Sequence, residues 1–244
     1  MSAGLSFERA SVRYRSREAL ALGAHVFPAG QITALLGANG SGKSSLLRAL
    51  IGAPPGRVER LTLAGTPAAE LSRKERARRL AFLSQDRTGP GLARVRDVLA
   101  LGRHAHRGTD SDGRVDAVAE RLALAPLLER RFGELSGGQQ ARVLLGRALC
   151  VDAPVLLADE PTASLDAAHA LRIMAELRAE ARSGRTVIVS LHDLALARRF
   201  ADRALVLKGG RAIAEGPMPA VLDAAVLRES FGLRAGPDGY EATE

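Results

Sequence analysis

The chain opens with short alternations of apolar and polar positions and passes into longer apolar runs separated by helical periodicity. Leu5, Phe7, Val12 and Tyr14 alternate, which predicts two opening strands, and Ala24, Val26 and Phe27 predict another before the turn at Pro28-Ala29-Gly30. These read as an antiparallel flap. Ile32, Ala34, Leu35 and Leu36 then form an apolar run, and Leu46, Leu47 and Leu50 carry the spacing of an amphipathic helix. After the break at Pro54-Pro55-Gly56, Leu61 and Leu63 lead into the turn Gly65-Thr66-Pro67, a hairpin-like excursion. A helix is predicted over 72–80 and a short buried strand over 80–84, ending at Gln85.

From Asp86 to about Cys150 the pattern is helical, over 95–99, from Asp112 to Leu124, and again from near Ser136. Segment 86–150 is therefore expected as an inserted α-helical subdomain. Beyond it, the apolar runs 155–159 and 186–190 are separated by an amphipathic helix carrying Leu171, Met174 and Leu177, the βαβ signature of a parallel sheet. Segments 205–207 and 212–214 flank Lys208-Gly209-Gly210-Arg211 as a hairpin, and 216–244 is expected as C-terminal helices. The sum is one α/β domain of 244 residues, with a core from 1–85 and 151–215.

Between the first apolar run and its helix lies Gly37-Ala38-Asn39-Gly40-Ser41-Gly42-Lys43-Ser44, followed by Ser45. Glycines at this spacing let the backbone curl with its N–H groups inward, and the helix beginning after Lys43 adds the positive end of its dipole. Such a nest suits a triphosphate. Lys43 is placed to reach the β and γ phosphates, and the Ser44 hydroxyl to sit on a magnesium ion bridging them.

Two carboxylates, Asp159 and Glu160, end the wholly apolar run 155–159, where packing gives them no reason to be. Ligands of parallel sheets bind beyond the carboxyl ends of strands, so the pair is expected to face the phosphate loop, Asp159 holding magnesium and Glu160 activating water. The plainer alternative is a pair of acids capping the next helix. A second candidate anion site appears at Leu135-Ser136-Gly137-Gly138-Gln139, where a serine and two glycines open a long helix. An ordinary serine cap is the alternative there, and one nucleotide scarcely needs two such sites from one chain.

Composition narrows the partners. The net charge is +8, almost all of the excess arginine, spread through 73–79 and at Arg103, Arg130, Arg131, Arg198 and Arg199. Anionic lipid headgroups, nucleic acid and plain solvated helix faces are the three readings, and aromatics at 3% weigh against single-stranded nucleic acid. Cys150, the one cysteine, excludes an internal disulfide and reads as a buried, inert thiol of a reducing compartment. No apolar run approaches the ~20 residues that cross a bilayer, and the start lacks the pattern of a secretory signal. The expectation is a soluble chain, or one held at a membrane by a partner.

In order along the chain, GANGSGKS, LSQ, LSGGQ, VLLADEP, SLD and SLHD together resemble the ATP-binding-cassette ATPase family over nearly the whole length. The resemblance implies a P-loop NTPase (RecA-like) core with an N-terminal antiparallel β flap and a helical signature subdomain. It implies ATP and Mg2+ as ligands, and a head-to-tail homodimer in which each copy's Leu135–Gln139 signature closes on nucleotide held by the other's loop. Carried over residue by residue, Tyr14 matches the aromatic that stacks on adenine, with a strand tyrosine packed on the core as the alternative. Gln85 matches the glutamine that contacts magnesium and water. Asp166 matches the loop that communicates across the dimer, and is equally plausible as a helix N-cap. His192 matches the histidine that contacts the γ phosphate and holds water and Glu160 in line; considered alone it reads as structural.

Within the family, Leu99-Ala100-Leu101-Gly102-Arg103-His104-Ala105-His106-Arg107 is similar to the LALGRxPH segment of bacterial importers for iron-siderophore, haem and cobalamin, with Ala105 in place of the proline. The segment 192–197 is similar to their HDLNLA run. His104 and His106 lack the company of other ligands that a metal site needs. This subgroup implies a peripheral subunit on the cytoplasmic face of the bacterial inner membrane, docked through its helical subdomain on a permease fed by a periplasmic or surface binding protein, with no nucleic acid expected. Two departures are mild: Ala158 stands where leucine is common, and Gly146 interrupts the signature helix at a cost of about 1 kcal/mol unless packing requires it. A soluble cassette acting on nucleic acid or ribosomes is the rival, but the coiled-coil insertion or second cassette usual in such proteins is lacking; a phosphate-loop nucleotide kinase would leave LSGGQ and His192 without a role.

Overall fold

A computed structural model describes residues 3–86, 89–106, 113–236 and 239–242, so that Arg107 and the expected helix start at Asp112 lie outside the described residues. The chain opens with β1 (Ala3–Phe7), β2 (Arg9–Tyr14), β3 (Arg17–Leu22), β4 (His25–Pro28) and β5 (Ile32–Leu36), then α1 (Lys43–Leu50). Next come β6 (Arg57–Glu59), β7 (Thr62–Leu63), β8 (Thr66–Pro67), α2 (Arg73–Arg79) and β9 (Leu80–Leu83). The helical stretch holds α3 (Val95–Ala100), a 3-10 turn (Leu101–His106), α4 (Arg114–Arg121) and α5 (Gly137–Cys150). The core resumes with β10 (Val155–Asp159), α6 (Ala167–Arg182), β11 (Thr186–Ser190), α7 (Leu194–Phe200), β12 (Arg203–Lys208) and β13 (Arg211–Pro217). Finally come α8 (Met218–Val221), α9 (Ala224–Phe231), β14 (Leu233–Gly236) and β15 (Gly239–Ala242).

The central sheet runs β13-β12-β5-β11-β10-β9, parallel except for the antiparallel edge strand β13. Strands β5, β10 and β11 are buried at every position, which is why they read as continuous apolar runs. Their side chains nevertheless alternate between two cores. Ile32, Ala34, Leu36, Leu156 and Ala158 pack with the helical stretch and α6, while Leu35, Val155 and Leu157 pack with α1 and the flap. Register brings the carboxyl ends into line: Ala158 lies beside Leu83, Asp159 beside Ser190, and Ser190 beside Leu35. The tails of β9, β10, β11 and β5 therefore all open on one edge.

Three expectations are corrected. The flap has a strand unread in the sequence, β3, and is two sheets, β3-β2-β6 and β4-β1-β7-β8, that take in the excursion after Pro55. Ala24 lies between strands rather than in one. The segment 216–244 is not all helical: Gly232, left-handed at φ 63°, ends α9, and β14 and β15 pair as an antiparallel hairpin. Gly146 has its packing reason, because a Cβ there would lie 2.7 Å from Leu99 Cδ2 and 3.1 Å from Leu122 Cδ1. α5 can approach α3 and α4 only without that carbon.

The helical stretch is tied to the core by charge as well as by apolar packing. Glu180 of α6 is 2% exposed and accepts from Arg121 of α4 at 2.5 Å and from Arg185 ahead of β11. Arg121 also donates to Glu176 at 2.7 Å. Pairing of this kind offsets the cost of burying the carboxylate.

Candidate nucleotide site

At the tail of β5 the backbone turns through three glycines of left-handed φ, Gly37 (139°), Gly40 (76°) and Gly42 (109°). Gly37 has no alternative, since a Cβ there would lie 2.2 Å from the Leu207 carbonyl oxygen. Gly42 is the N-cap of α1 and offers no side chain, so the first amides of α1 are left for a ligand. The loop is pinned from within by Ser41 N–H to Ala38 O (3.1 Å) and from outside by Gly210 N–H to Ser41 O (3.0 Å). Lys43 is 4% exposed, its ammonium donating to Gly37 O (2.7 Å) and Ala38 O (3.2 Å). Burial pushes its pKa down, and the carboxylates of Glu160 and Asp159 oppose that by favouring the charged form.

A cavity of about 320 Å³ covers the loop from Asn39 to Ser45. Its walls are Arg17, Glu18 and Ala19 of β3, Gly209 of the β12–β13 turn, and Glu160. The sequence reading missed the β3 wall and Gly209, although the Leu20 and Leu22 alternation was available as a signal for the strand.

Opposite the loop, Asp159 is 1% exposed, and its Oδ1 accepts from Ser44 Oγ (2.9 Å) and Ser190 Oγ (2.7 Å). Its Oδ2 is buried with no partner. An orphaned, buried carboxylate oxygen beside a serine hydroxyl is a hard-oxygen donor set that suits Mg2+. Ser190, also missed, accepts from Glu160 N–H (2.8 Å) while donating to Asp159, and so couples the two acids. Glu160 has φ 46°, a left-handed conformation that a non-glycine residue adopts only where its surroundings impose it. Each of its carboxylate oxygens is held: Oε2 by Gln85 Nε2 (2.7 Å), Oε1 by a short contact from His192 Nε2. Four separated segments thus deliver Lys43, Ser44, Gln85, Asp159, Glu160 and His192 to one edge.

The structure does not bring the signature there. Ser136 caps α5, its Oγ accepting from Gln139 N–H (3.3 Å) while Gln139 Oε1 accepts from Ser136 N–H (2.9 Å). Leu135 is buried, and Gly137 faces open space. At Gly138 a Cβ would lie 2.4 Å from the His169 ring, so a side chain there would displace that ring. Asp166 is the N-cap of α6, accepting from His169 N–H (2.9 Å) and from the His169 ring (2.8 Å), and these bonds hold its carboxyl below the usual aspartate range. The cap reading and a place beside the signature thus coexist. Tyr14 is 45% exposed, not packed on the core, and pairs in register with Arg17 of the cavity wall. His106 donates to a backbone carbonyl, and among the described residues no cluster of three His, Cys, Asp or Glu side chains could hold a metal.

Comparison with known proteins agrees with this geometry. The chain is 42% identical over 207 residues to the hemin import ATP-binding protein HmuV of Streptomyces coelicolor, an alignment covering 83% of this chain and 74% of that one. It is 40% identical over 210 residues to the cobalamin import ATP-binding protein BtuD of Halobacterium salinarum, covering 84% of this chain and 53% of the relative. A crystal structure of a nucleotide-free ATP-binding cassette from an ABC transporter superposes with a TM-score of 0.79 at 25% identity, over 93% of this chain and 98% of that one. Residues 25–163 match the family model described as ABC transporter. With phosphate loop, paired acids and signature helix in these positions, the chain belongs to the ABC transporter family, as an ATP-binding subunit that hydrolyses ATP.

Proposed function

We propose that this protein powers import of an iron-chelate, haem or cobalamin-type substrate through a membrane permease, as the peripheral ATPase on the cytoplasmic face of the bacterial inner membrane. The relatives named above are import subunits for hemin and cobalamin, and no helix among the described residues is long and apolar enough to cross a membrane. A permease and a substrate-binding protein upstream of it supply the path and the recognition.

In this reading the amides of Gly37–Ser45 and Lys43 bind the β and γ phosphates, and Tyr14 stacks on adenine. Ser44, Gln85 and Asp159 hold Mg2+, which when bound offsets negative charge on those phosphates. Glu160 takes a proton from water as the water oxygen bonds to the γ phosphorus and the bond from that phosphorus to the ADP oxygen breaks. His192 keeps Glu160 and the water in line.

The observation that carries the reading is the separation of the two anion-seeking helix starts. The loop side has its acids and its lysine, while Ser136 and Gly137 do not line that cavity and Gly137 opens on free space. A head-to-tail second copy reunites them, and Asp166, beside the signature through His169, lies where the copies communicate. Glu160→Gln is the test: ATP binding is retained, turnover falls by roughly 10³-fold, in the range for a general base, and Mg-ATP drives a stable dimer in light scattering. Undiminished phosphate release by that variant would remove Glu160 from its role.

A further inference from the structure

The turn Leu101–His106 lies far along the sequence from any residue of the nucleotide cavity, yet it is bound to the signature helix at its other end. The carbonyls at the end of α5 carry the negative end of its dipole, and of these Leu149 O also accepts from Asp152 N–H (3.1 Å). Three cationic or protonatable side chains meet the carbonyls of the last turn and of the C-cap residue Val151 in succession: Arg114 Nη2 on Leu149 O (3.2 Å), Arg103 Nη1 on Cys150 O (2.9 Å) and His106 Nε2 on Val151 O (2.8 Å). Arg103 is 5% exposed, so this contact lies inside the protein. Gly102 lets the turn close on α5, since a Cβ there would lie 2.2 Å from Arg147 O. The same turn is tied to α2, which runs directly into β9 and Gln85, by Arg78 Nε on Ala105 O (2.8 Å). Leu101 and His104 stand exposed on its outer side.

We propose that Arg103 and His106 are positioning residues for the signature: they fix the far end of α5 and thereby place the Ser136–Gly138 turn. At 14 residues α5 spans about 21 Å, and a helix packed along its length moves as a rod. A shift of the 101–106 turn reaches the signature through this cap and reaches Gln85 through Arg78 and β9. The inference rests on the composite-site reading above, and it assigns to the histidine-bearing segment a mechanical role in place of a ligand.

The test uses the full chain carrying Glu160→Gln. His106→Leu and Arg103→Met each leave Mg-ADP affinity of the dilute monomer within about twofold by calorimetry, and weaken Mg-ATP-driven dimerisation about tenfold by light scattering, the size of one hydrogen bond to a charged group. His106→Gln, which keeps an N–H donor, recovers most of the dimer. If Arg103→Met does not fold, the two His106 variants decide. A lowered melting temperature with an unchanged dimer constant, or equal losses in His106→Gln and His106→Leu, would overturn the positioning role. A Glu160→Gln parent that never dimerises would overturn the composite-site reading itself, a result visible before any variant is compared.

Discussion

The two glycine-bearing helix starts of this chain solve opposite problems. α1 begins at a left-handed glycine with no side-chain cap, its lysine buried and its Ser44 hydroxyl turned toward a buried acid. α5 begins at an extended serine that closes a reciprocal cap with Gln139. The first leaves backbone donors without a side-chain cap and sets a buried ammonium and a serine hydroxyl beside them. The second satisfies two of its own donors and presents the remainder at the surface, so it has something to add to a ligand but nothing with which to hold one alone. A single polypeptide therefore carries two unlike helix starts, and the head-to-tail dimer proposed above would bring them together.

The largest expected effect on this contrast comes from Lys43→Ala, which removes the buried ammonium and should weaken Mg-ATP binding to the isolated chain by about 100-fold, as expected for lost charge-assisted bonds. Unchanged affinity by calorimetry would mean that α1 does not grip the phosphates. Ser136→Ala comes next. Losing the cap should cost about 1 kcal/mol of thermal or denaturant stability, with nucleotide affinity of the dilute monomer unchanged. A drop in monomer affinity would show the two helix starts sharing a ligand within one chain.

The smallest effect is a pH dependence at the loop beside the signature. His169 donates to Asp166 and lowers its carboxyl pKa in the folded chain. The stabilisation is therefore complete above the ordinary aspartate value of about 3.9 and is lost as pH falls through the lower folded value. The difference in melting temperature between the protein and Asp166→Ala should shrink as pH falls below that ordinary value. A difference that instead grows below it would contradict the hydrogen-bond assignment.

The sheet and the loop side of the site were legible because their signals are local. Continuous apolar runs ending in Gly37, Gln85, Asp159 and His192 announce strands and place those residues on one edge. β3 escaped because its two alanines dilute the alternation of Leu20 and Leu22, and with it went the cavity wall at Arg17. The closing hairpin escaped for a similar reason: Leu233–Gly236 is short and lacks β-branched residues. Ser190 was visible only as the last polar residue of a strand, since its partners lie 30 and 31 residues away. The triple cap on α5 depends wholly on tertiary placement, and no spacing rule links Arg103, His106 and Arg114 to residue 150.

One consequence of the Asp159–Ser190 pairing concerns alignment rather than catalysis. β10 and β11 are buried on both faces, so sliding one past the other by a residue exposes nothing oily, and among apolar positions only the fit of the two cores opposes it. What such a slip does do is strand a buried acid without its hydroxyl, a fault that hydrocarbon packing has no means to repair. The serine thus proofreads the weave of the sheet, and a chain that misthreads there would lose its enzyme and its architecture together.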